Sequence, residues 1–413
     1  MMRVAVVAYH SNPLNEPGSG DAGGMSIYVR ALAREMARRG VHTDIFTRST
    51  GESSRISHLG RGTRVIALPA GPEEIIPKEE QRRYIADFVV SVRAFASSQR
   101  ARYDLVHSHY WQGGLAATAL ARGWSVPLVH SHHTLGRVKN MYLAPGDAPE
   151  AAYRIEAEQS VIAAADVLVT LTEEEQAHLV CMYGAPHDRI KTIAPGVDHE
   201  RFAPGDRAAA RRELGIEDEL VLLAAGRIQP LKGLDLAIDT VAELVPALDR
   251  PVSLAVVGGP SGPAGRSEME RLMARARALG IEENVRFAGP QPHDRLPTYY
   301  RAADAVLVCS YSESFGLVGL EAMASGTPVV GTAVGGLTHL VRGGVGGFVV
   351  EERDAAAFAA QLKQVLADED TRAAFGRAAA RSAAVYSWSR SAAAMLDLYE
   401  CLLEEQAPEA CTC

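Results

Sequence analysis

Short runs of apolar, β-branched residues alternate with amphipathic stretches along this chain, and the alternation halts and restarts once. A strand period followed by a helix period, repeated, makes successive strands parallel, because a crossover helix returns the chain to the same edge each time. In the first series the strand candidates are 3–8, 43–47, 64–68, 105–107, 128–130, 167–170 and 190–193, with helices at 27–39, 78–97, 114–122, 150–165 and 173–183. The breaker pair in Ala194-Pro195-Gly196-Val197-Asp198 interrupts it. A second series follows, with strands at 221–225, 253–257, 285–288, 305–308, 329–332 and 348–350, and a helix at 390–405. At 413 residues the chain exceeds the usual single core. The expected fold class is α/β, with two doubly wound Rossmann-like domains facing each other across a cleft. Residues 1–195 are expected to form the first domain and 196–386 the second. Residues 387–413 are expected to form a helix packing back on the first domain, with a disordered tail.

The net charge of −8 argues against a nucleic-acid groove or an anionic membrane surface as the main partner, while leaving room for local basic pockets. The apolar run at 4–9 is too short for a signal peptide, and no stretch approaches the length of a membrane span. The five cysteines show no metal-ligand spacing. These features predict a soluble protein of the reducing cytoplasm.

Four segments carry chemistry. In Ser312-Glu313-Ser314-Phe315-Gly316-Leu317-Val318-Gly319-Leu320-Glu321 two carboxylates stand eight residues apart, one before and one inside a helix that opens on Gly316. On an amphipathic helix such a pair reads as a solvated face. Here the neighbours Leu317, Val318, Leu320, Ala322 and Met323 bury the helix, so the glutamates need partners. Vicinal sugar hydroxyls suit them. After the first strand of the second series comes Gly226-Arg227-Ile228-Gln229-Pro230-Leu231-Lys232-Gly233, where an Arg and a Lys can converge on a pyrophosphate. The first strand of the chain exits into a glycine-rich loop, residues 17–26, in which Gly23 and Gly24 allow a diphosphate to approach the backbone. His107 and His109 alternate at a strand end, but no third metal ligand accompanies them.

Together the Arg-x4-Lys, the Glu-x7-Glu and the opening Gly-Gly resemble the retaining glycosyltransferases of the two-domain GT-B fold, family 4, over nearly the whole chain. Within that family, the strings Gly20-Asp21-Ala22-Gly23-Gly24-Met25, His107-Ser108-His109-Tyr110-Trp111, His133-Thr134-Leu135, Val138-Lys139-Asn140 and Gly258-Gly259-Pro260-Ser261-Gly262-Pro263 are similar to the inositol 3-phosphate glycosyltransferases of mycothiol biosynthesis.

The resemblance implies the following roles. Arg227 and Lys232 would bind the donor pyrophosphate with Gly24. Glu321 would hold the ribose, and Glu313 the hexose hydroxyls together with Phe315, Gly316 and Leu317. Glu16 and Pro17 would flank the donor, and the base would lie near Gln291. His133 would stand against the transferred sugar, making His133, Arg227, Lys232 and Glu313 the catalytic set. Lys78, Tyr110, Thr134 and Arg154 would hold an acceptor phosphate, with His10, Asp21, Ala22, Gly23, Gly24, Met25 and Ser26 as the inositol-facing wall. No metal cofactor is required on this reading, although some relatives carry a structural magnesium near the segment matching Tyr300, Arg301 and Ala303. Asp304 would shape the loop before Glu313. A homodimer is a further implication.

The chain departs from the pattern where the family's inositol-facing Asn is Ser26 and where an Arg near the base is Gln291. Serine is shorter and has one donor in place of a planar amide. The expected reaction is transfer of a hexosyl group, with retention, from UDP-N-acetylglucosamine to 1D-myo-inositol 3-phosphate or a similar small polar acceptor. Alternatives are a paralogue recruited to lincosamide-like assembly with a UDP- or GDP-sugar and a different acceptor such as a thiol, a sucrose-phosphate synthase-like enzyme, and a sugar-nucleotide epimerase or binding protein.

Overall fold

The computed structural model describes residues 1–18, 22–51, 55–262 and 264–405. The expected tail, with Cys411 and Cys413, lies outside the described residues, as does Asp21. Two sheets organise the chain. The first contains β1 (Arg3–Val7), β2 (His42–Arg48), β3 (Ile56–Gly60), β4 (Thr63–Leu68), β5 (Leu105–His109), β6 (Leu128–Ser131), β7 (Val167–Thr170) and β8 (Ile190–Thr192). Its spatial order is β3-β4-β2-β1-β5-β6-β7-β8. The second contains β9 (Leu220–Ala225), β10 (Val252–Val257), β11 (Val285–Gly289), β12 (Ala305–Val308), β13 (Val329–Thr332) and β14 (Gly347–Val350), in the order β11-β10-β9-β12-β13-β14.

Strand order reverses between β1 and β5 in the first sheet and between β9 and β12 in the second. Loops leaving the carboxyl ends of such strand pairs diverge, and the crevice between them is where doubly wound sheets take ligands. The glycine loop leaves β1, the His109-Tyr110 segment leaves β5, the Arg227–Lys232 loop leaves β9, and the Glu313–Gly316 segment leaves β12. Each chemistry-bearing segment thus sits at a switch point.

The parallel pattern has one exception. β3 pairs antiparallel with β4 at the sheet edge. Its residues alternate between exposed and half-buried, so it lacks the apolar run that marks the buried strands. The helix expected over 78–97 is broken into Lys78–Gln81, a tight turn at Arg82–Tyr84, and Ile85–Ser98. The Tyr9 hydroxyl donates to the Gln81 carbonyl at 2.8 Å, the acceptor that the Ile85 N–H would take in a continuous helix. The helix expected from 114 starts at Tyr110 and runs to Trp124. Gly113 and Gly114 disguise its first turn, and both are required by packing. A Cβ on Gly113 would meet the Val7 carbonyl at 2.8 Å, and one on Gly114 would meet Val161 at 2.7 Å. A short helix at Gly136–Met141 was not expected. The helix expected from 150 begins at Ala152, which leaves Glu150 outside it.

One apolar cluster runs through both sheets, from Val4 and Tyr28 to Phe315, Leu320 and Leu337. The final helix, Trp388–Glu405, contributes Trp388, Met395 and Tyr399 to it. Trp388 meets the Tyr28 ring edge-on at 5.6 Å, and the Tyr399 hydroxyl is 2.6 Å from His107 Nδ1. Asp304 has a structural place. It accepts the Val221 N–H at 2.8 Å and pairs with Arg207 and Arg211.

Candidate active site

The loops of the two sheets meet. A Cβ on Gly23 would lie 3.4 Å from the Arg227 guanidinium, and one on Gly24 would lie 3.3 Å from the Leu317 side chain. The Gly259 N–H donates to the Gly18 carbonyl at 3.3 Å, and the Ser314 hydroxyl donates to the His133 carbonyl. The start of helix Gly24–Arg38 and the start of helix Leu317–Ala324 therefore approach each other. Their free first-turn N–H groups and positive dipole ends favour an anion. Glu16 and Pro17 lie on the same glycine loop, with Ala22 buried beneath it and Met25 partly buried.

On the second sheet, Lys232 Nζ reaches Glu313 Oε1 at 2.5 Å, and Ser310 Oγ donates to the same oxygen at 2.6 Å. Gly316 caps the following helix at φ 93°, a conformation that favours glycine. Glu321, in the second turn, is buried. Its Oε1 is 2.8 Å from His293 Nε2, and its Oε2 accepts the Tyr300 hydroxyl at 2.9 Å. A carboxylate has about four acceptor directions, so two remain for ribose hydroxyls. Phe315 is buried against Tyr386, and the Gln291 amide donates to the Ala288 carbonyl at 2.9 Å.

On the first sheet, Tyr110 and His133 both adopt left-handed backbone, at φ 65° and 61°. Strain of this kind at non-glycine residues persists only where the surroundings impose it. His133 Nε2 lies 2.9 Å from His109 Nδ1. Burial drives the pKa of His133 down to about 3, so its imidazole is neutral. His10, whose ring lies 4.3 Å from that of Tyr110, is also held down to about 3, by burial and then by Lys78, His133, Arg227 and Arg154. Cations from both sheets therefore act on this one imidazole. Its Nδ1 is buried without a partner among the described residues.

Arg154 is buried in helix Ala152–Ala164. Its Nε donates to Glu158 at 2.8 Å and its Nη2 to the Thr134 hydroxyl at 3.0 Å, while the guanidinium lies 5.1 Å from the Tyr110 ring centroid. Lys78 opens the helix Lys78–Gln81, and its carbonyl accepts from Gln112. Ser26 is completely buried, with its hydroxyl 3.3 Å from that of Ser11. The inositol-facing position expected of Ser26 is thus closed off in this arrangement.

The chain matches the model of the glycosyl transferase 4-like domain over residues 23–196 and that of the glycosyl transferases group 1 over residues 206–382. It is 45% identical to the D-inositol 3-phosphate glycosyltransferase of Acidothermus cellulolyticus, covering 98% of this chain and 91% of that one. The chain belongs to this glycosyltransferase family. It is 44% identical to D-inositol 3-phosphate glycosyltransferase 2 of Catenulispora acidiphila, covering 98% and 96% of the two chains. Its fold is similar to that of sucrose-phosphate synthase from Thermosynechococcus elongatus, with a TM-score of 0.90, 31% identity, and coverage of 98% of this chain and 100% of that one. The Anabaena protein HepE in complex with UDP and glucose shares the fold at a TM-score of 0.76 and 19% identity, covering 97% and 100%.

The protein is a retaining GT-B glycosyltransferase of family 4 that uses a nucleotide-sugar donor and a small polar acceptor. In this glycosyltransferase, among the described residues, no group of three His, Cys, Asp or Glu is arranged to hold a metal. The side chains near the expected magnesium do not fit one: Tyr300 gives its hydroxyl to Glu321, and Arg301 donates to the carbonyls of Ala203 and Arg201. No described helix is long and apolar enough to cross a membrane.

Sequence reasoning missed His130 and His132 as neighbours of this site, and His293 and Tyr300 as the holders of Glu321. The histidines left a signal. His107-x-His109 and His130-x-His132-His133 end adjacent parallel strands, whose register sets His107 and His109 on the face of Val129 and Ser131 and His130 on the opposite face beside Ser108, while His133 comes to meet His109. The partners of Glu321 left none, because they are separated from it by 28 and 21 residues and join it only through the tertiary fold.

Proposed function

We propose that this glycosyltransferase moves N-acetylglucosamine from its UDP derivative to 1D-myo-inositol 3-phosphate. One observation carries the acceptor reading: Lys78, Tyr110, Thr134 and Arg154, from four separate segments, gather beside His10, and Arg154 contacts both Thr134 and Tyr110. Two cations and two hydroxyls suit a phosphomonoester. The acceptor in the names of the similar proteins supports it.

In this reading residues 1–195 hold the acceptor and residues 196–386 the donor. Arg227 and Lys232 bind the pyrophosphate with the Gly24 helix start. Lys232 moves from Glu313 to the phosphates, which leaves Glu313 to accept from the hexose hydroxyls. Glu321 takes the ribose, and the backbone near Gln291 meets the base. As the glycosidic bond breaks, negative charge grows on the departing diphosphate, where these cations and helix starts act. The leaving phosphate accepts the proton of the attacking hydroxyl on the same face, consistent with retention. Neutral His133 lines the transferred sugar. The free thiols Cys181, Cys309 and Cys401 suit a reducing cytoplasm. A homodimer completes the reading.

Ser26 favours a second reading, a paralogue with another acceptor, because the residue expected to meet inositol is closed against Ser11. The deciding experiment is a thermal-shift panel with UDP, GDP and ADP, followed by mass spectrometry of products from inositol 3-phosphate and from free inositol. Stabilisation by UDP and glycosylation of the phosphate ester alone are expected. Absence of transfer to inositol 3-phosphate from every UDP- and GDP-sugar would reject the acceptor in favour of the second reading.

A further inference from the structure

Arg154 carries two carboxylates, and they are differently held. Glu158 is fully buried. Besides Arg154 Nε it accepts the Gly136 N–H at 3.1 and 3.0 Å on its two oxygens, and the Tyr183 hydroxyl. It is fixed in place and makes a neutral pair with the guanidinium. Glu150 lies on the irregular segment between helices Gly136–Met141 and Ala152–Ala164, where Pro145, Gly146, Ala148 and Pro149 are exposed. Its Oε1 is 2.8 Å from Arg154 Nη1 and also takes the Lys139 ammonium. Its side chain keeps 18% exposure, against none for Glu158.

We infer that Glu150 is a resident counter-anion which an acceptor phosphate displaces, and that Lys139 is a further cation of that phosphate site. The inference rests on the acceptor reading above. Arg154, Lys139 and Lys78 supply three positive charges, and Glu158 and Glu150 supply two negative ones. Asp147 also acts on Lys139, and withdrawing Glu150 raises the local positive charge by one, which favours a phosphomonoester dianion over a neutral group. Glu79, 3.8 Å from Lys78, is exposed and screened by solvent. Burial opposes ionisation of Glu150, yet Arg154, Lys139 and Lys78 outweigh it and hold its pKa down to about 2, so all three cations act at this carboxylate. A phosphate replaces one carboxylate oxygen with three acceptor oxygens and a higher charge. A neutral polyol offers no charge to replace Glu150, and removing the carboxylate for it would leave partly buried cations unpaired. Glu150 therefore makes the site discriminate by charge, excluding unphosphorylated acceptors.

The test is calorimetric binding of inorganic phosphate and of inositol 3-phosphate in saturating nucleoside diphosphate, which keeps the donor cations occupied. Glu150→Gln should bind both roughly 10-fold more tightly than the unaltered protein, the worth of about one charge-assisted contact. Lys139→Gln should bind both more weakly by a similar factor. Affinity unchanged or reduced in both Glu150→Gln and Glu150→Ala overturns the role of Glu150. Should those variants fail to fold, Lys139→Gln decides, and unchanged phosphate affinity there refutes the site. Tighter phosphate binding by Glu150→Gln in a protein that never glycosylates inositol 3-phosphate would support the exchange while rejecting that acceptor. Turnover of inositol 3-phosphate without any gain in affinity would reject the exchange alone.

Discussion

The carboxyl ends of β1, β5 and β6 carry uncharged imidazoles locked by burial, whereas the loops after β9 and β12 meet the cleft with a charged pair, Lys232 and Glu313, that is partly exposed. His10, His107, His109, His130, His132 and His133 all have pKa values lowered by burial above all. They interlock through His109–His133 at 2.9 Å, Ser108–His130 at 2.7 Å and His107–Tyr399 at 2.6 Å. Lys232 and Glu313, by contrast, retain 24% and 16% side-chain exposure. The contrast follows the chemistry. On the proposed reading, a wall that shapes a sugar and develops no charge is best rigid and neutral, whereas groups that meet a departing diphosphate exchange one ionic partner for another.

Acid should break the first face before the second, and with the largest effect. These histidines titrate from 6.5 when unfolded, and those with a stated folded value do so at about 3. Their contribution is present in full above pH 6.5 and is lost as pH falls towards 3, by up to about 1.4 kcal/mol per group per pH unit. Glu175 opposes them. Burial raises it from 4.5 to about 7, so its contribution is lost as pH rises through that window. Six groups outweigh one. Melting temperature measured from about pH 8 to about pH 5 should drop steeply below pH 6.5. A flat profile would mean that the histidine wall is hydrated and not locked.

Next in size is the buried pair beneath the proposed acceptor site. The Arg154 side chain is 3% exposed and that of Glu158 is fully buried. Arg154→Ala leaves Glu158 buried without its charge partner, which costs about 3 to 5 kcal/mol of stability when such a pair is broken. Denaturant unfolding measures this directly. If the variant unfolds like the parent, the acceptor cation is held by solvent and not by the core.

The sheets were legible in the sequence because buried parallel strands are near-continuous apolar runs, as in β9 and β12. What escaped depended on distant contacts. At the break near Tyr84 the Ile85 N–H turns to the Arg82 carbonyl while the distant Tyr9 hydroxyl takes that of Gln81, and β3 pairs at an edge with no apolar run of its own. The site divides in the same way. Arg227, Lys232, Glu313 and Gly316 stood out because each belongs to a short motif whose spacing has a chemical meaning. The Ser314 link to the His133 carbonyl has no such spacing, since it joins residues from different crossovers, whereas Glu150, Arg154 and Glu158 follow one another at four-residue steps, the spacing at which opposite charges pair along a helix.

The smallest free-energy change, and the most specific one, is expected on the second face. On the proposed reading, Arg227→Ala and Lys232→Ala each remove a cation from the place where diphosphate charge develops, and removal of one such donor lowers turnover by about 100- to 1,000-fold, equivalent to about 2.7 to 4 kcal/mol. Lys232 is paired with a partly exposed carboxylate, and a pair of that kind contributes only about 0 to 1 kcal/mol to folding. Lys232→Ala should therefore lower kcat strongly while shifting unfolding far less than Arg154→Ala does, reversing the balance on the acceptor side. Steady-state kinetics and denaturant unfolding on the same preparations give both quantities. Removing Lys232 also frees Glu313 to repel the diphosphate, so Glu313→Gln in the same chain should restore part of the lost donor affinity. If the double variant binds nucleoside diphosphate no better than Lys232→Ala, Glu313 and the diphosphate do not compete for one cation, and the exchange of ionic partners is not how this face works.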